Sequence, residues 1–222
     1  GDEHLLFDAG RGVAVQLVRA GIPLATLRHL FVTHHHFDHI GDLYDVMLSS
    51  WFEGRREPLT IHGPPDTKRL VSALQTQIYD KDIEWRSDGE PVFGGWAPVV
   101  GRDVSPGVVH ETPSWRVSAD TVVHGHGLAF APAFLKRWIC YGYRIEVQGR
   151  VVASLCSRGA EPFSSQSKLD KPEHHSDAGC GKSPMPTHLR REPTAHHRSD
   201  ECTEIDAHVK YREARVATCA AL

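Results

Sequence analysis

Over the first two-thirds of the chain the hydrophobic positions form short runs and stripes punctuated by turn residues. Beyond about Phe163 that order is lost. Leu5-Leu6-Phe7, Leu30-Phe31-Val32 and Leu59-Thr60-Ile61-His62 predict short buried strands; Thr33 and Gly63-Pro64-Pro65 stop the last two. Val13, Val15, Leu17 and Val18 predict a short helix ended by Gly21, with Pro23 just beyond. Ile40, Leu43, Met47 and Trp51 recur at three- and four-residue steps, the apolar face of a core helix. Leu70, Val71, Leu74 and Ile78 predict another helix, capped by Asp66 or Thr67. In residues 80–114, Gly94-Gly95-Trp96 and Gly101 argue for loops and short strands, and His110-Glu111 reads as exposed strand rather than an acid/base pair. Trp115-Arg116-Val117-Ser118-Ala119 alternates as a strand. Gly142–Val147 is the next one, and Gln148-Gly149-Arg150 turns it into a hairpin through Val151-Val152-Ala153-Ser154.

The stretch after the second strand carries the chemistry. Thr33-His34-His35-His36-Phe37-Asp38-His39 places four metal-ligand side chains, His34, His36, Asp38 and His39, within six positions. His34 and His36 are two apart, so in an extended segment they project to the same side. Asp38 and His39 open the following helix and can turn toward a second ion. Imidazoles suit Zn²⁺, and a carboxylate can complete a mixed site. His35 lies between two ligand positions and reads as a supporting or exposed histidine.

Composition adds bounds rather than a function. The chain has 222 residues, enough for one sizeable core, with 40% hydrophobic and 24% charged residues. A formal net charge of −3 advertises no nucleic-acid partner globally. Sixteen histidines agree with metal chemistry. The five cysteines are odd in number and widely spaced, which favours a reducing compartment and a cytoplasmic location. No apolar run reaches membrane-spanning length. Gly1 is not an initiator Met, so a preceding segment is expected.

The order His-x-His-x-Asp-His, after a strand and before a helix, resembles the metallo-β-lactamase superfamily. Phe7-Asp8-Ala9-Gly10 resembles that family's first motif, whose Asp fixes the ligand loop; the alternative for Asp8 is a turn or helix-capping aspartate. Strand-then-Gly63-Pro64 and Gly142-Tyr143-Arg144 are similar to the ribonuclease Z-like and arylsulfatase-like branch. In the family a third metal histidine precedes the Gly-Tyr-Arg strand. Val122-Val123-His124-Gly125-His126-Gly127 offers His124 first and His126 second, while His62 reads as structural. The implied fold is α/β, an αβ/βα sandwich of the metallo-β-lactamase type, incomplete at both ends. Residues 1–154 would form that domain. Residues 155–222 are expected to be a divergent, poorly ordered or non-native tail that contributes little to the core.

The resemblance also implies a mechanism and exposes a gap. His34, His36 and His124 would hold one Zn²⁺, and Asp38 and His39 would begin a second site, with Asp38 catalytic and a zinc-bound hydroxide as nucleophile. The family expects Ser-Gly-Asp-Thr after the hairpin, its Asp bridging two metals, but this chain reads Ser154-Leu155-Cys156-Ser157. One filled zinc site is therefore expected where the family has two. The implied substrate is a phosphodiester or other small ester, or RNA, with a homodimer as a further expectation. The rival readings are an arylsulfatase-like or lactonase-like hydrolase, and a catalytically impaired metal-binding protein.

Overall fold

The computed structural model describes residues 3–124, 129–154, 203–205 and 215–218. In chain order the elements are β1 (His4–Phe7), α1 (Val13–Arg19), β2 (His29–Phe31), α2 (Phe37–Ile40), α3 (Leu43–Phe52), β3 (Leu59–Gly63), α4 (Thr67–Ala73) and α5 (Asp80–Gly89). There follow β4 (Val99–Asp103), β5 (Gly107–Glu111), β6 (Trp115–Thr121), α6 (Pro132–Leu135), β7 (Tyr141–Val147), β8 (Arg150–Ser154), β9 (Thr203–Ile205) and β10 (Arg215–Thr218).

Two sheets result. The first runs β4-β3-β2-β1-β10-β9, parallel except for β9; the second is the antiparallel order β5-β6-β7-β8. The apolar runs of β1 and β2 have no polar alternation because the first sheet is covered on both faces. Leu6, Leu30 and Val32 face a core shared with Val13 and Leu17 of α1, Val46 and Met47 of α3, and Val71 of α4. Leu5, Phe7 and Phe31 face Trp115, Val117, Tyr141, Tyr143 and Ile145 of the second sheet. Phe7 and Phe31 stack with centroids 5.0 Å apart, and fully burying such a ring contributes roughly 1.5–3 kcal/mol. This is the expected sandwich. Of residues 155–222, the described parts are β9 and β10, which extend the first sheet beyond β1.

Several local expectations change. In α1 the buried side chains are Val13, Ala14 and Leu17, while Val15 and Val18 are exposed; the 3.6-residue turn separates them from the core face. The helix carrying Ile40 to Trp51 is broken in two at Gly41-Asp42, because Asp42 turns back to the first loop. Its amide donates to Ala9 O at 2.9 Å, and its carboxylate accepts from Gly12 N. A helix, α5, replaces the expected loop after Ile78. None of its residues is fully buried and its half-buried face, Asp82, Ile83, Arg86 and Ser87, is mostly polar, so no apolar stripe signals it; Arg86 instead pairs with Asp82 at 3.2 Å one turn earlier. Asp66 occupies the N-cap position of α4 without capping it. Its carboxylate accepts from Arg69, and the Lys68 amide is taken by Asp103 of β4 at 2.8 Å. Strand β6 ends at Thr121, so Val122 and Val123 lead to His124 as loop.

Candidate metal centre

β2 is the central support of the ligand loop. Beyond it, Val32 N donates to His62 O at 2.7 Å, and Tyr143 Oη donates to Val32 O at 2.8 Å. Thr33 is held from both sides: its amide donates to Asp8 Oδ1 at 2.7 Å and its carbonyl accepts from Tyr141 N at 2.9 Å. The backbone that presents His34 is thus pinned to β1, β3 and β7 together. His34 is fully buried beneath the loop. His36 sits at the N-cap of α2, whose first turn carries Asp38 and His39.

Three ring nitrogens converge here. His34 Nε2 lies 2.9 Å from His36 Nδ1, and His124 Nε2 lies 3.1 Å from the same atom. All three fall within 4.8 Å of one another. Ligands on one tetrahedral zinc sit about 3.3 Å apart, given Zn–N bonds of about 2.0–2.1 Å. The donor set therefore suits such an ion with small outward shifts of the rings. His126, the second choice for third histidine, lies outside the described residues, as do Cys156, Asp170, which is the first Asp beyond Ser154, and every histidine of residues 155–222.

One carboxylate sets the proton positions. Asp8 is buried and adopts φ 61°, an unusual backbone for a residue other than glycine. That turn aims Oδ2 at both Thr33 Oγ1, which donates to it at 2.9 Å, and His39 Nδ1, which donates at 2.7 Å. With its own proton committed to Asp8, Thr33 Oγ1 accepts from His34 Nδ1 at 2.9 Å. Protons held on Nδ1 of His34 and His39 leave both Nε2 lone pairs open, the form a metal requires. His39 Nε2 is 3.7 Å from Asp38 Oδ2, so these two residues lie side by side at the expected second position. The simple turn or cap reading of Asp8 misses these three contacts.

Electrostatics follow the same division. Burial and the neighbouring histidines push the His34 imidazole down to about 3, and burial with His36 and His39 lowers His124. Both are neutral at pH 7 and able to bind a cation. At His39 burial opposes the charged form, but the Asp8 hydrogen bond and charge outweigh it and raise the imidazole above its ordinary value. His35 points away; its Nε2 meets Thr67 Oγ1 at 2.9 Å, in keeping with a supporting role. Gly63 permits that contact, since a Cβ there would collide with Thr67 Oγ1 and lie 3.1 Å from Val32 Cβ. His62 is buried in β3 and is no member of the group formed by His34, His36 and His124.

Sequence reasoning missed Thr33 as the relay and Trp138 as a wall. Trp138 lies 4.7 Å from the His36 ring and stacks on Phe134 at 5.8 Å. The four-residue spacing of Phe134 and Trp138 was the available signal. Their place beside the loop follows from the path between β6 and β7.

A histidine loop at the end of a buried parallel strand, joined by a histidine that follows β6, defines a metal-binding two-sheet sandwich. The model of the metallo-beta-lactamase superfamily matches residues 1–131, and the chain belongs to that superfamily. Among curated relatives, ribonuclease Z of Mycolicibacterium paratuberculosis is 43% identical over 155 residues, 68% of this chain and 51% of that protein. Ribonuclease Z of Gloeothece citriformis is 32% identical over 148 residues, 67% of this chain and 39% of that protein. The chain thus spans about half the length, or less, of these two relatives. A solved structure of human tRNase Z, short form, aligns with a TM-score of 0.45 at 16% identity, covering 69% of this chain and 51% of that one.

Proposed function

We propose that the chain carries the metal-binding part of a zinc-dependent phosphodiesterase acting on RNA. His34, His36 and His124 would hold the first ion, with Asp38 and His39 beginning a second position. This reading rests on the convergence of three imidazoles, with the His34 ring oriented from behind by Asp8 and Thr33. Bound there, zinc would supply a Lewis acid and bring the pKa of a water toward neutrality. The protein's own part is to orient His34 and His39, and to shield one side of His36 with Trp138. Asp38, whose side chain is 42% exposed, is the group able to exchange a proton with a reacting water. The RNA substrate class is taken from the ribonuclease Z relatives. Among the described residues, no helix is long and apolar enough to cross a membrane.

A second reading, a metal-binding protein with impaired turnover, is favoured by Leu155-Cys156 where a bridging Asp is expected. Asp38 and His39 give the second position two protein ligands, whereas a catalytic zinc usually has three. Zinc analysis of protein purified without added metal, with turnover of bis(p-nitrophenyl) phosphate and of a 3′-extended tRNA, separates the readings. Bound zinc with metal-dependent turnover supports the phosphodiesterase; bound zinc with low or absent turnover, the outcome expected where the bridging Asp is missing, supports the second reading. Absence of zinc would refute both readings. Strong metal-dependent turnover lost in Asp38→Ala would show that another group, with Cys156 and Asp170 the first to test, replaces the bridge.

A further inference from the structure

Another trio of histidines lies away from the ligand loop. His29 opens β2, His62 lies in β3 and His110 in β5; each brings a ring nitrogen within 4.8 Å of the other two. His29 Nδ1 and His62 Nε2 are 3.3 Å apart, the separation expected of two imidazoles on one tetrahedral zinc, about 3.3 Å. The His29 and His110 ring centroids are 4.4 Å apart. Aromatic rings close the sides: Phe31 stacks on His62 at 4.8 Å, and Trp115 lies 5.0 Å from His110 and 5.3 Å from His29. The trio spans both sheets, with two members on the first and one on the second.

Packing alone does not account for these residue types. Among the described residues, the His29–His62 contact is the one side-chain hydrogen bond the three rings make, and His62 Nδ1 is buried with no partner. A buried imidazole nitrogen without a partner costs free energy beside an apolar layer that Phe7 and Phe31 fill without that cost. Burial comes first and His110 next in holding His29 down to about 4. Burial and then His29 hold His62 down to about 3, and burial lowers His110. All three are neutral, with lone pairs to give. Three charges bear on them from outside. Glu3, which accepts from Trp115 Nε1 at 2.8 Å, favours a cation at His110; Arg102 of β4 opposes one at all three rings, and Arg28 opposes one at His29.

We propose that His29, His62 and His110 form a second, structural site for a divalent, imidazole-preferring cation such as Zn²⁺, which clamps the two sheets together. Water or the Glu3 carboxylate completes the coordination. From His29 to His34 the chain advances five residues, on the order of 16 Å in extended form, so the two sites share no ligand. The clamp needs no turnover, and it stands or falls independently of the loop site.

The test uses the full chain carrying His34→Ala/His36→Ala, titrated with Zn²⁺ and, as a spectroscopic probe, Co²⁺. One equivalent is expected to bind with the visible bands of a tetrahedral cobalt site and to raise Tm by several degrees. Adding His110→Ala, at a partly exposed position, should abolish the cobalt bands and the rise in Tm; Arg102→Gln should instead tighten binding. A folded background variant that takes up no ion overturns the proposal, as does uptake that persists unchanged after His110→Ala. Should the double variant fail to fold, His110→Ala alone in the otherwise unaltered chain must lose one equivalent of zinc relative to the parent. Equal content overturns the proposal.

Discussion

His34 and His36, on the loop beyond the end of β2, gather with His124 from beyond β6, whereas His29, His62 and His110 gather between the sheets near the start of β2. The side chains are the same. The surroundings differ. Behind the loop trio, Asp8 and Thr33 fix which nitrogen of His34 carries the proton, and Asp38 and His39 stand beside it. The inter-sheet trio has aromatic rings on its sides and a guanidinium within electrostatic reach. A reactive site needs an accessible side and carboxylates to manage protons; a clamp needs rigidity and closure. Histidine count therefore says little about role, while the groups touching the second ring nitrogen say much.

The largest effect should come from removing the loop ligands. His34→Ala/His36→Ala is expected to lose at least one equivalent of zinc by elemental analysis of the purified protein. Zinc content equal to the parent's would erase the distinction between the trios. Separate His124→Ala and His126→Ala variants then identify the third ligand, His124 being the one expected to weaken binding strongly.

Asp8→Asn should act next in size. It keeps the shape but loses the charge that holds the protons of Thr33 and His39, and supporting partners of this kind change metal affinity by roughly 10–100-fold. Competition with a chromophoric chelator measures it. Thr33→Val should produce a smaller loss through His34 alone, and an Asp8→Asn chain with undiminished affinity would refute the relay.

Acid should reveal both trios in the metal-free chain. His34 and His62 are held down to about 3, against an unfolded value near 6.5, so the unfolded chain binds protons that the folded chain refuses. Their effect is nil above pH 6.5. Stability is then lost as the pH falls toward 3, by up to about 1.4 kcal/mol per pH unit for each fully buried ring. His39 runs the other way. Its raised value adds stability below pH 6.5 that disappears as the pH rises through its folded value. Urea unfolding between pH 7 and pH 5 should show a net decline, made shallower by His62→Leu. A flat profile would contradict the neutral assignment of the buried rings.

The smallest effect concerns the support rather than the ligands. Tyr143→Phe removes the hydrogen bond to Val32 O and leaves that carbonyl short of a partner, at a cost of about 1–3 kcal/mol. Thermal unfolding should report the loss, with the zinc content of the loop site unchanged.

Sequence alone determined what depends on neighbours along the chain. The apolar runs of β1, β2 and β3, the stop at Thr33, the two-residue spacing of His34 and His36, and the helix opening with Asp38 and His39 are local matters. Resemblance then supplied the family. The polar helix α5 was illegible because it is stabilised by pairs on its own surface rather than by a buried stripe. Only the tertiary structure decided the rest. Asp8 reaches Thr33 and His39 because β1 lies beside β2 in the sheet, with 31 positions between Asp8 and His39 along the chain. His124 meets His36 across 88 positions. His29, His62 and His110 have no spacing that a motif could register, since they come from three strands in two sheets. Sheet register and sheet-on-sheet packing fix distances that the order of residues does not encode, and in this protein those distances sort the histidines into two groups.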